Sequence, residues 1–337
     1  MIQVNDRKLS ESVGVVVIGR NEGQRLIRSL NSISVDPARV IYVDSGSTDQ
    51  SVERAKELGA VVVSLDLILP FTAARARNEG FAAMMALHPN IQFVQFLDGD
   101  CEVVEGWLDS AVKFLCEHPD VAVVCGRRRE RYPQASIYNR LCDLEWDTPV
   151  GEAASCGGDS LMRVASFTSV GGFKGELMAH EEPELCLRLR ERSWKIWRLD
   201  AEMTVHDAAI RHFSQWWARS RRSGFAYAEV AHLHRQSQLD ICKKETSRAM
   251  VWAGVVPIII AVLSLFYPFA IAGALVYPFQ ICRIAIGRNA VDRYAWAYAV
   301  FVMLAKFAEF QGMTSFHWHR LRGISARPIE YKSGPVS

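Results

Sequence analysis

The chain has 337 residues, half of them hydrophobic, and its formal net charge is +2. This length allows one large domain or two ordinary ones, and the small net charge argues against a nucleic-acid partner. The eight cysteines include no CxxC pair. Without a recognisable secretory signal at the N-terminus, we expect reduced cytosolic thiols and no disulfide framework.

Strand and helix patterns alternate along the first third of the chain. Apolar, β-branched runs predict five strands, at 13–19, 39–44, 60–66, 91–98 and 121–126. Helical patterns lie between several of them, at 51–58, 72–87 and 105–116. This alternation is typical of an α/β fold with a Rossmann-like, doubly wound, mostly parallel sheet. Neither GxGxxG nor GxxxxGK[ST] follows the first strand, which argues against the ordinary dinucleotide fold and the P-loop.

Polar side chains stand where three predicted strands end. Asn21 and Glu22 follow the first strand, Asp44 ends the second, and Asp98 and Asp100 end the fourth. Since ligands bind at the carboxyl ends of parallel strands, we expect these side chains at one edge of the sheet. Any one acid can equally be a turn-forming or capping residue. The set is better explained by Mg²⁺ or Mn²⁺ shared with substrate phosphates.

The segment EEPELCLRLR (181–190) predicts a helix that begins with acids. Pro183 suits the first turn, and Glu184 can pair with Arg188 one turn later. Glu181 and Glu182 then lie at the positive end of the helix dipole, which favours an ionised carboxylate that can act as a general base. The alternative is a charge cluster without catalytic function.

A long uncharged run follows the soluble part of the chain. No charged residue occurs from Met250 to Cys282, so we predict a tight helical hairpin or a re-entrant insertion that breaks near Pro268. The stretch 294–304 is a further interfacial helix or span, and a pair of buried core helices is the alternative for the uncharged run.

Cationic residues flank the run on both sides, which places both flanks in the cytosol. The predicted domains are a catalytic domain at 1–245, membrane-inserted or interfacial helices at 246–312, and a basic cytosolic tail at 313–337, which includes Arg327 and Lys332.

The sequence contains two basic stretches, at 127–134 and 215–229. RRRERYPQ (127–134) is predicted to be a loop over the site at the strand ends, and the default interpretation is a solvated charge run. In 215–229, Gln215, Arg219 and Arg222 share one helical face, which fits an amphipathic helix at a membrane surface.

Four blocks together resemble the family 2 glycosyltransferases of the GT-A fold, from Val13 to Trp197. They are VVVIGRNEGQRLIRSLNSI, VIYVDSGSTDQSVERAKELGA, ARARNEGFAAM with FVQFLDGDCEV, and GGDSLMRVASFTSVGGF with EEPELCLRLR. The resemblance implies transfer of a sugar from a nucleotide-sugar to an acceptor hydroxyl.

The resemblance also implies roles for individual side chains. Asn21 and Glu22 would line the nucleoside pocket, Asp44 would contact the base or ribose, and Arg75 and Arg77 would lie beside the nucleotide.

The DGD triplet matches the family's DxD motif. Asp98 would lie nearer the ribose, and Asp100 would be the direct ligand of Mn²⁺ or Mg²⁺, which Asp98 would help to hold. His206 is a further candidate ligand or an ordinary polar residue. Three residues would lie near the transferred sugar and acceptor: Gly157, Gly158 and Asp159.

The family often has Glu-Asp where this chain has Glu181-Glu182, so Glu182 is the expected base and Glu181 the alternative. Arg219 and Arg222 loosely match a QxxRW motif that binds diphosphate, but the spacing is one residue too long and no Trp follows.

The expected function is inverting, metal-dependent transfer from a nucleotide-sugar, most simply a UDP-sugar. The acceptor would be a lipid-linked glycan or polysaccharide precursor at the cytosolic face of the inner membrane, with membrane lipid as a partner and no nucleic acid. The alternatives are a nucleotidyltransferase and a non-catalytic subunit that binds sugar nucleotides.

Overall fold

The computed structural model describes residues 12–69, 71–288 and 291–323. The chain divides into two compact units, Met1–Ala209 and Ile210–Ser337. The first unit contains every predicted strand. The predicted end of the catalytic domain, at 245, lies further along the chain than this division, and the three-part domain scheme stays a prediction.

Within the described residues, nine strands form one sheet in the first unit. Their bounds are β1 Val13–Gly19, β2 Val40–Asp44, β3 Val61–Ser64, β4 Phe93–Asp98, β5 Cys101–Val103, β6 Val121–Glu130, β7 Gly151–Ala153, β8 Ser160–Arg163 and β9 Lys195–His206. The order is β3-β2-β1-β4-β8-β6-β9-β5, and β7 also pairs with β9.

The sheet is mixed: its β3-β2-β1-β4 half is parallel, as the alternating pattern predicted, and the pairs β4–β8, β6–β8, β5–β9 and β7–β9 in the other half are antiparallel. Pairs β2–β3, β1–β2, β1–β4 and β6–β9 are parallel. The four-residue strand β8 runs in the opposite direction between β4 and β6. Because β8 is so short, its side-chain alternation gives little signal in the sequence. Its reversal brings the residues just before it to the edge where the parallel strands end.

The helices of the first unit are α1 Gln24–Asn31, α2 Ser51–Glu57, α3 Ala73–Leu87, α4 Trp107–Glu117, α5 Ile137–Glu145, α6 Val164–Ser169 and α7 Glu181–Glu191. Helix α3 lies close against the sheet at Gly80, where a Cβ would be 2.4 Å from Val16 Cγ1. The apolar residues of β1 are buried on both faces of the sheet, which explains the uninterrupted apolar run in the sequence.

The basic stretch 127–134 was predicted to be a solvated loop, and this prediction was wrong for its first half. Strand β6 continues through Glu130 and pairs with β9 as far as His206. Arg127 and Glu130 are buried. Cross-strand pairing to β9 places these charged residues inside the protein, where each has an ionic or polar partner.

The second unit is helical within its described residues. Its elements are α8 Phe213–Leu233, α9 Lys243–Met250 with a π-helical turn Val251–Val255, α10 Val256–Phe266, a 3₁₀ segment Pro268–Leu275, α11 Val276–Arg288 and α12 Arg293–Arg322. Helices α8 and α12 meet at two glycines. A Cβ on Gly224 would lie 2.0 Å from the Glu309 carbonyl oxygen, and a Cβ on Gly312 would lie 2.0 Å from the Arg221 carbonyl oxygen.

Replacing Gly224 by alanine is expected to destabilise the second unit by about 1–3 kcal/mol, because α8 and α12 must move apart to admit the methyl group. Gly287→Ala is a matched control, since it is another helical glycine and its Cβ would meet nothing within 4 Å. That control should be neutral or slightly stabilising, as alanine favours helix. Thermal denaturation of both full-length variants tests this, and equal effects would contradict the close crossing.

Two helical segments, Lys243–Phe266 and Pro268–Arg288, are long and apolar enough to cross a membrane by length and composition. The break before Pro268 lies where the sequence predicted it. The stretch 294–304 is part of the 30-residue helix α12, which extends to Arg322 and therefore includes the start of the predicted basic tail. The rest of that tail, with Arg327 and Lys332, lies outside the described residues.

Candidate active site

The carboxyl ends of the parallel strands collect most of the predicted polar residues at one edge of the sheet. Asp44 ends β2, Asp98 ends β4 and His206 ends β9. Asp159 immediately precedes the reversed strand β8, and its Oδ1 accepts a hydrogen bond from the Asp98 backbone N–H at 3.1 Å. The arrangement follows from strand direction alone, since parallel strands end on one side and an antiparallel strand begins there.

Arg77 is the centre of the acidic cluster. The Arg77 side chain is buried, with Nη1 2.7 Å from Glu181 Oε1 and 2.9 Å from Glu182 Oε1. Arg77 Nη2 lies 2.8 Å from Asp98 Oδ1. Burial alone would lower the pKa of Arg77, but the three carboxylates raise it, so the guanidinium stays charged. One cation therefore joins the acids of α7 to the DGD triplet.

Glu181 and Glu182 are the first two residues of α7, as the sequence predicted. The residue before them, His180, has φ = +62°, a left-handed conformation that a non-glycine residue adopts at some energetic cost. The Glu182 side chain is 13% exposed and that of Glu181 is 6% exposed. Burial, and next the charge of Glu181, raise the pKa of Glu182 to about 7 despite the opposing effect of Arg77. A carboxyl group with this pKa can accept and release a proton near neutral pH.

Arg128 forms a second ionic centre, in a stretch that the sequence analysis assigned only to a loop over the site or to a solvated charge run. Arg128 Nε donates to Asp159 Oδ2 at 2.9 Å, and Nη2 lies 3.4 Å from Asp98 Oδ2. Thr204 Oγ1 also donates to Asp159 Oδ2, at 2.7 Å. The guanidinium lies 5.4 Å from the Trp146 ring centre. The sequence does show arginines directly after the predicted strand at 121–126. Three arginines in a row, however, also resemble a solvated loop.

These two arginines control the charge of Asp98. Burial opposes ionisation of Asp98, but Arg77 and Arg128 outweigh it and lower the pKa of that carboxyl. Asp98 is therefore ionised at neutral pH.

Asp100, Cys101 and His206 form a cluster whose ligand atoms are close enough to hold a metal ion together. His206 Nε2 lies 3.3 Å from Asp100 Oδ1, and two ligands of one octahedral ion at about 2.1 Å are about 3 Å apart. His206 Nδ1 is buried and makes no hydrogen bond among the described residues, and the Trp146 ring lies 4.8 Å from the imidazole. Burial raises the pKa of the Cys101 thiol, so carboxylate and imidazole are the better donors. This donor set fits Mn²⁺ or Mg²⁺.

Other residues predicted to bind the nucleotide-sugar contact the loops that follow β1 and β2. Asp44 Oδ2 accepts from the backbone N–H groups of Gly46 and Ser47, both at 3.0 Å. Asn21 Oδ1 accepts from Thr48 N at 2.7 Å and so joins the loops after β1 and β2. Glu22 pairs with Arg25 at 2.8 Å.

The other arginines predicted to bind the nucleotide-sugar are Arg75, in the first unit, and Arg219 and Arg222, in the second. Arg75 Nη1 donates to the carbonyl oxygens of Asp66 and Leu69. Arg219 and Arg222 lie on α8, in the second unit. Ligand roles for these residues stay predictions.

Of the three glycines near the acidic cluster, Gly158 is the one at which a side chain would meet the cluster itself. A Cβ on Gly158 would lie 2.5 Å from Arg77 Nη2, whereas one on Gly157 would meet nothing within 4 Å. A Cβ on Gly99 would lie 3.1 Å from the Ile18 carbonyl oxygen. The close approach at Gly99 is therefore to the backbone of β1.

Comparison with known proteins shows which family and fold the chain is similar to. A family model described as glycosyl transferase family 2 matches residues 14–162. The pre-mycofactocin glycosyltransferase of Mycobacterium tuberculosis is 29% identical over 238 residues, which are 66% of this chain and 48% of the relative. The chain thus spans about half the length of that curated relative. An uncharacterized glycosyltransferase of Rickettsia conorii is 41% identical over 58 residues, 17% of this chain and 21% of the relative.

A solved structure shares the fold. The mannosyltransferase PcManGT of Pyrobaculum calidifontis, in complex with GDP-Man and Mn²⁺, matches with a TM-score of 0.59 at 17% identity. The match covers 92% of this chain and 88% of that one.

Proposed function

We propose that the chain, whose residues 14–162 match the family model of glycosyl transferase family 2 and whose fold is that of the GT-A enzymes, transfers a sugar from a nucleotide-sugar to an acceptor hydroxyl with inversion. The proposal is carried by one observation, the shared contact of Arg77 with Asp98 and with Glu182. This guanidinium places a carboxylate with a pKa near neutrality beside the residue that matches the first acid of the DxD motif. The proposed general base, Glu182, then lies next to the proposed binding site of the nucleotide-sugar at Asp98.

Glu182 and the two arginines of the site have different proposed roles in the reaction. Glu182 accepts the proton of the acceptor hydroxyl, and the acceptor oxygen attacks the anomeric carbon from the face opposite the nucleotide in one displacement. Arg77 and Arg128 keep Asp98 ionised and add positive charge beside the leaving diphosphate.

Asp100 and His206 would hold Mn²⁺ or Mg²⁺, with Asp98 beside them. Such an ion, when bound, neutralises charge on the leaving diphosphate. The mannosyltransferase of the same fold holds GDP-Man together with Mn²⁺, which supports metal use without selecting a sugar or nucleotide.

The acceptor is proposed to be a lipid-linked glycan or polysaccharide precursor, and the place of action the cytosolic face of the inner membrane. The support is the pair of apolar C-terminal segments with few charges and the cationic residues that flank them. A membrane-attached transferase meets lipid-linked acceptors at high local concentration.

Asp100→Asn is expected to abolish metal-dependent nucleotide binding, because it removes the charge of the proposed metal ligand. Calorimetric titration of full-length protein with UDP, GDP and dTDP, with and without Mn²⁺, measures this effect and identifies the donor nucleotide. Asp109→Asn, an exposed acid on α4, is the matched control. Unchanged binding in Asp100→Asn would contradict the metal site. Binding without nucleotide release from any nucleotide-sugar would favour a non-catalytic subunit.

The rate of transfer is expected to rise with pH through neutrality. Glu182 acts as a carboxylate and its pKa is raised to about 7, so below this pH the protonated, inactive form dominates. At low donor concentration, kcat/KM should increase about tenfold per pH unit below 7 and level off above it. Glu182→Gln should remove this dependence from the residual rate, and a profile that is flat in the wild type would contradict the assignment.

A further inference from the structure

The second unit carries an apolar hairpin, defined here as residues 256–275, that consists of α10 and the 3₁₀ segment Pro268–Leu275. None of its residues is charged. The two arms contact each other, since a Cβ on Gly273 would lie 3.3 Å from Ile260 Cγ1.

The residues that flank the hairpin, Trp252 before it and Tyr277 after it, contact each other and form its base. Tyr277, just after the second arm, donates its hydroxyl hydrogen bond to the Trp252 carbonyl oxygen at 2.7 Å, just before the first arm. The two rings also lie 5.9 Å apart. The chain therefore leaves this base, turns at Tyr267 and Pro268, and returns to where it started.

The reach of the hairpin follows from helix geometry. Its first arm has 11 residues in α-helix and its second has 8 in 3₁₀-helix. At about 1.5 Å and 2.0 Å per residue, both arms are about 16 Å long. The hydrocarbon core of a bilayer is about 30 Å thick, which requires about 20 helical residues. The excursion thus has the depth of one leaflet, although Lys243–Phe266 and Pro268–Arg288 each have enough residues for a full span.

The hairpin surface is suited to hydrocarbon. Its exposed side chains are large and apolar, with Leu265 81% and Phe269 92% exposed. The backbone stays hydrogen-bonded through the turn, where Tyr267 N–H donates to Leu263 O at 2.7 Å and Ala270 N–H to Tyr267 O at 2.8 Å. Ser264 Oγ donates to the Ile260 carbonyl oxygen at 2.7 Å. Backbone in lipid must be satisfied internally, and this turn meets that requirement.

Charge is confined to the base side. Lys243, Lys244 and Arg248 precede Trp252, and Arg283 and Arg288 follow Tyr277. Cations at the end of an apolar insertion bind the anionic headgroups of a membrane surface, and their long side chains can reach the interface.

We propose that residues 256–275 insert into one leaflet of an anionic phospholipid bilayer as a re-entrant wedge. Both ends of the hairpin then emerge on the same membrane face, and the chain does not cross the bilayer in this segment. The inference concerns membrane attachment and does not depend on the transfer reaction, so the two can fail separately.

Cysteine labelling of the full-length protein tests the topology. In a background with Cys116→Ser and Cys282→Ser, single cysteines are introduced by Phe269→Cys at the tip and by Ser247→Cys at the exposed base position. A membrane-impermeant maleimide is applied to sealed right-side-out and inside-out vesicles. The expected result is Ser247→Cys labelled in one orientation only and Phe269→Cys in neither. Labelling of Phe269→Cys from the face opposite Ser247→Cys would show two crossings, and labelling from the same face would show no insertion; either overturns the wedge.

Depth measurement distinguishes lipid from a protein partner. A fluorophore on the Phe269→Cys tip should be quenched severalfold by nitroxides placed midway along the acyl chains. Protection without such quenching would mean that a second copy or another protein covers the tip, and would overturn the proposal.

A charge variant gives an independent readout. Phe266→Glu with Phe269→Glu should lower the fraction of protein bound to phosphatidylglycerol vesicles at least tenfold. Ile68→Glu is the matched control, since Ile68 is 90% exposed in the first unit, and it should leave binding unchanged. Equal binding of the tip variant and the wild type would contradict the wedge.

Discussion

Replacing Glu182 by glutamine is expected to lower kcat by about 10²- to 10⁴-fold, the usual contribution of a general base. The amide keeps the shape and the contact with Arg77 but cannot accept the acceptor's proton. Donor binding should change little, because the nucleotide is held at the strand ends. Steady-state kinetics with the donor identified by titration gives kcat, and nucleotide titration gives the affinity.

Glu181→Gln is the matched comparison, since it removes the same charge from the same helix turn. The Glu181 side chain is the more buried of the two and is 2.7 Å from Arg77, so we expect a smaller loss of kcat and a larger loss of stability. The reverse pattern, with Glu181→Gln inactive and Glu182→Gln active, would reassign the base.

Replacing Arg77 by methionine is expected to destabilise the first unit by about 3–5 kcal/mol at pH 8, because three carboxylates lose their shared buried cation. For a unit of this size the unfolding temperature should fall by at least about 6 °C. Arg77→Lys should lie in between, as one ammonium cannot replace a planar fork of donors. Thermal denaturation of the full-length variants measures both effects.

The pH dependence identifies the cause of this loss. Without Arg77, the pKa of Glu182 in the folded state rises further above its unfolded value, and the pKa of Asp98 rises because it loses the charge that lowers it most. Folding then binds protons, so stability is greater at acid pH and is lost as pH rises through the raised pKa values. The difference from wild type should therefore shrink between pH 8 and pH 5. Arg54→Met, which breaks an exposed pair with Glu57, should have no measurable effect at any pH. A loss at Arg77 that is independent of pH would point to packing instead.

Much of the first unit could be predicted because its signals are local. Strand β1 was predicted with its observed bounds, and β2 and β4 begin within two residues of the predicted positions, because buried parallel strands are uninterrupted apolar runs. The start of α7 at Glu181 followed from acids and a proline in one helical turn. The family resemblance was confirmed over residues 14–162, which include three of its four blocks and the start of the fourth.

Other elements were missed because their cause is not local. Strands β5 and β7 have three residues each, too few for a side-chain period to emerge. The stretch with Arg128 was predicted to be a loop over the site or a solvated charge run, because nothing near it in the sequence shows that Asp159 will lie 2.7 Å from the Arg128 guanidinium.

The sequence by itself determined the longer elements of the first unit, the family resemblance and the acids at the strand ends, since each depends on residues that are neighbours in the chain. Only the tertiary structure decided which charges meet. Arg77, Asp98 and Glu182 come from α3, β4 and α7. Asp100 directly precedes β5, whose first residue, Cys101, pairs with His206 at the end of β9. Strand order and direction set these distances. A buried charge is stable only beside its partner, so the ionic contacts of this site are a property of the folded sheet.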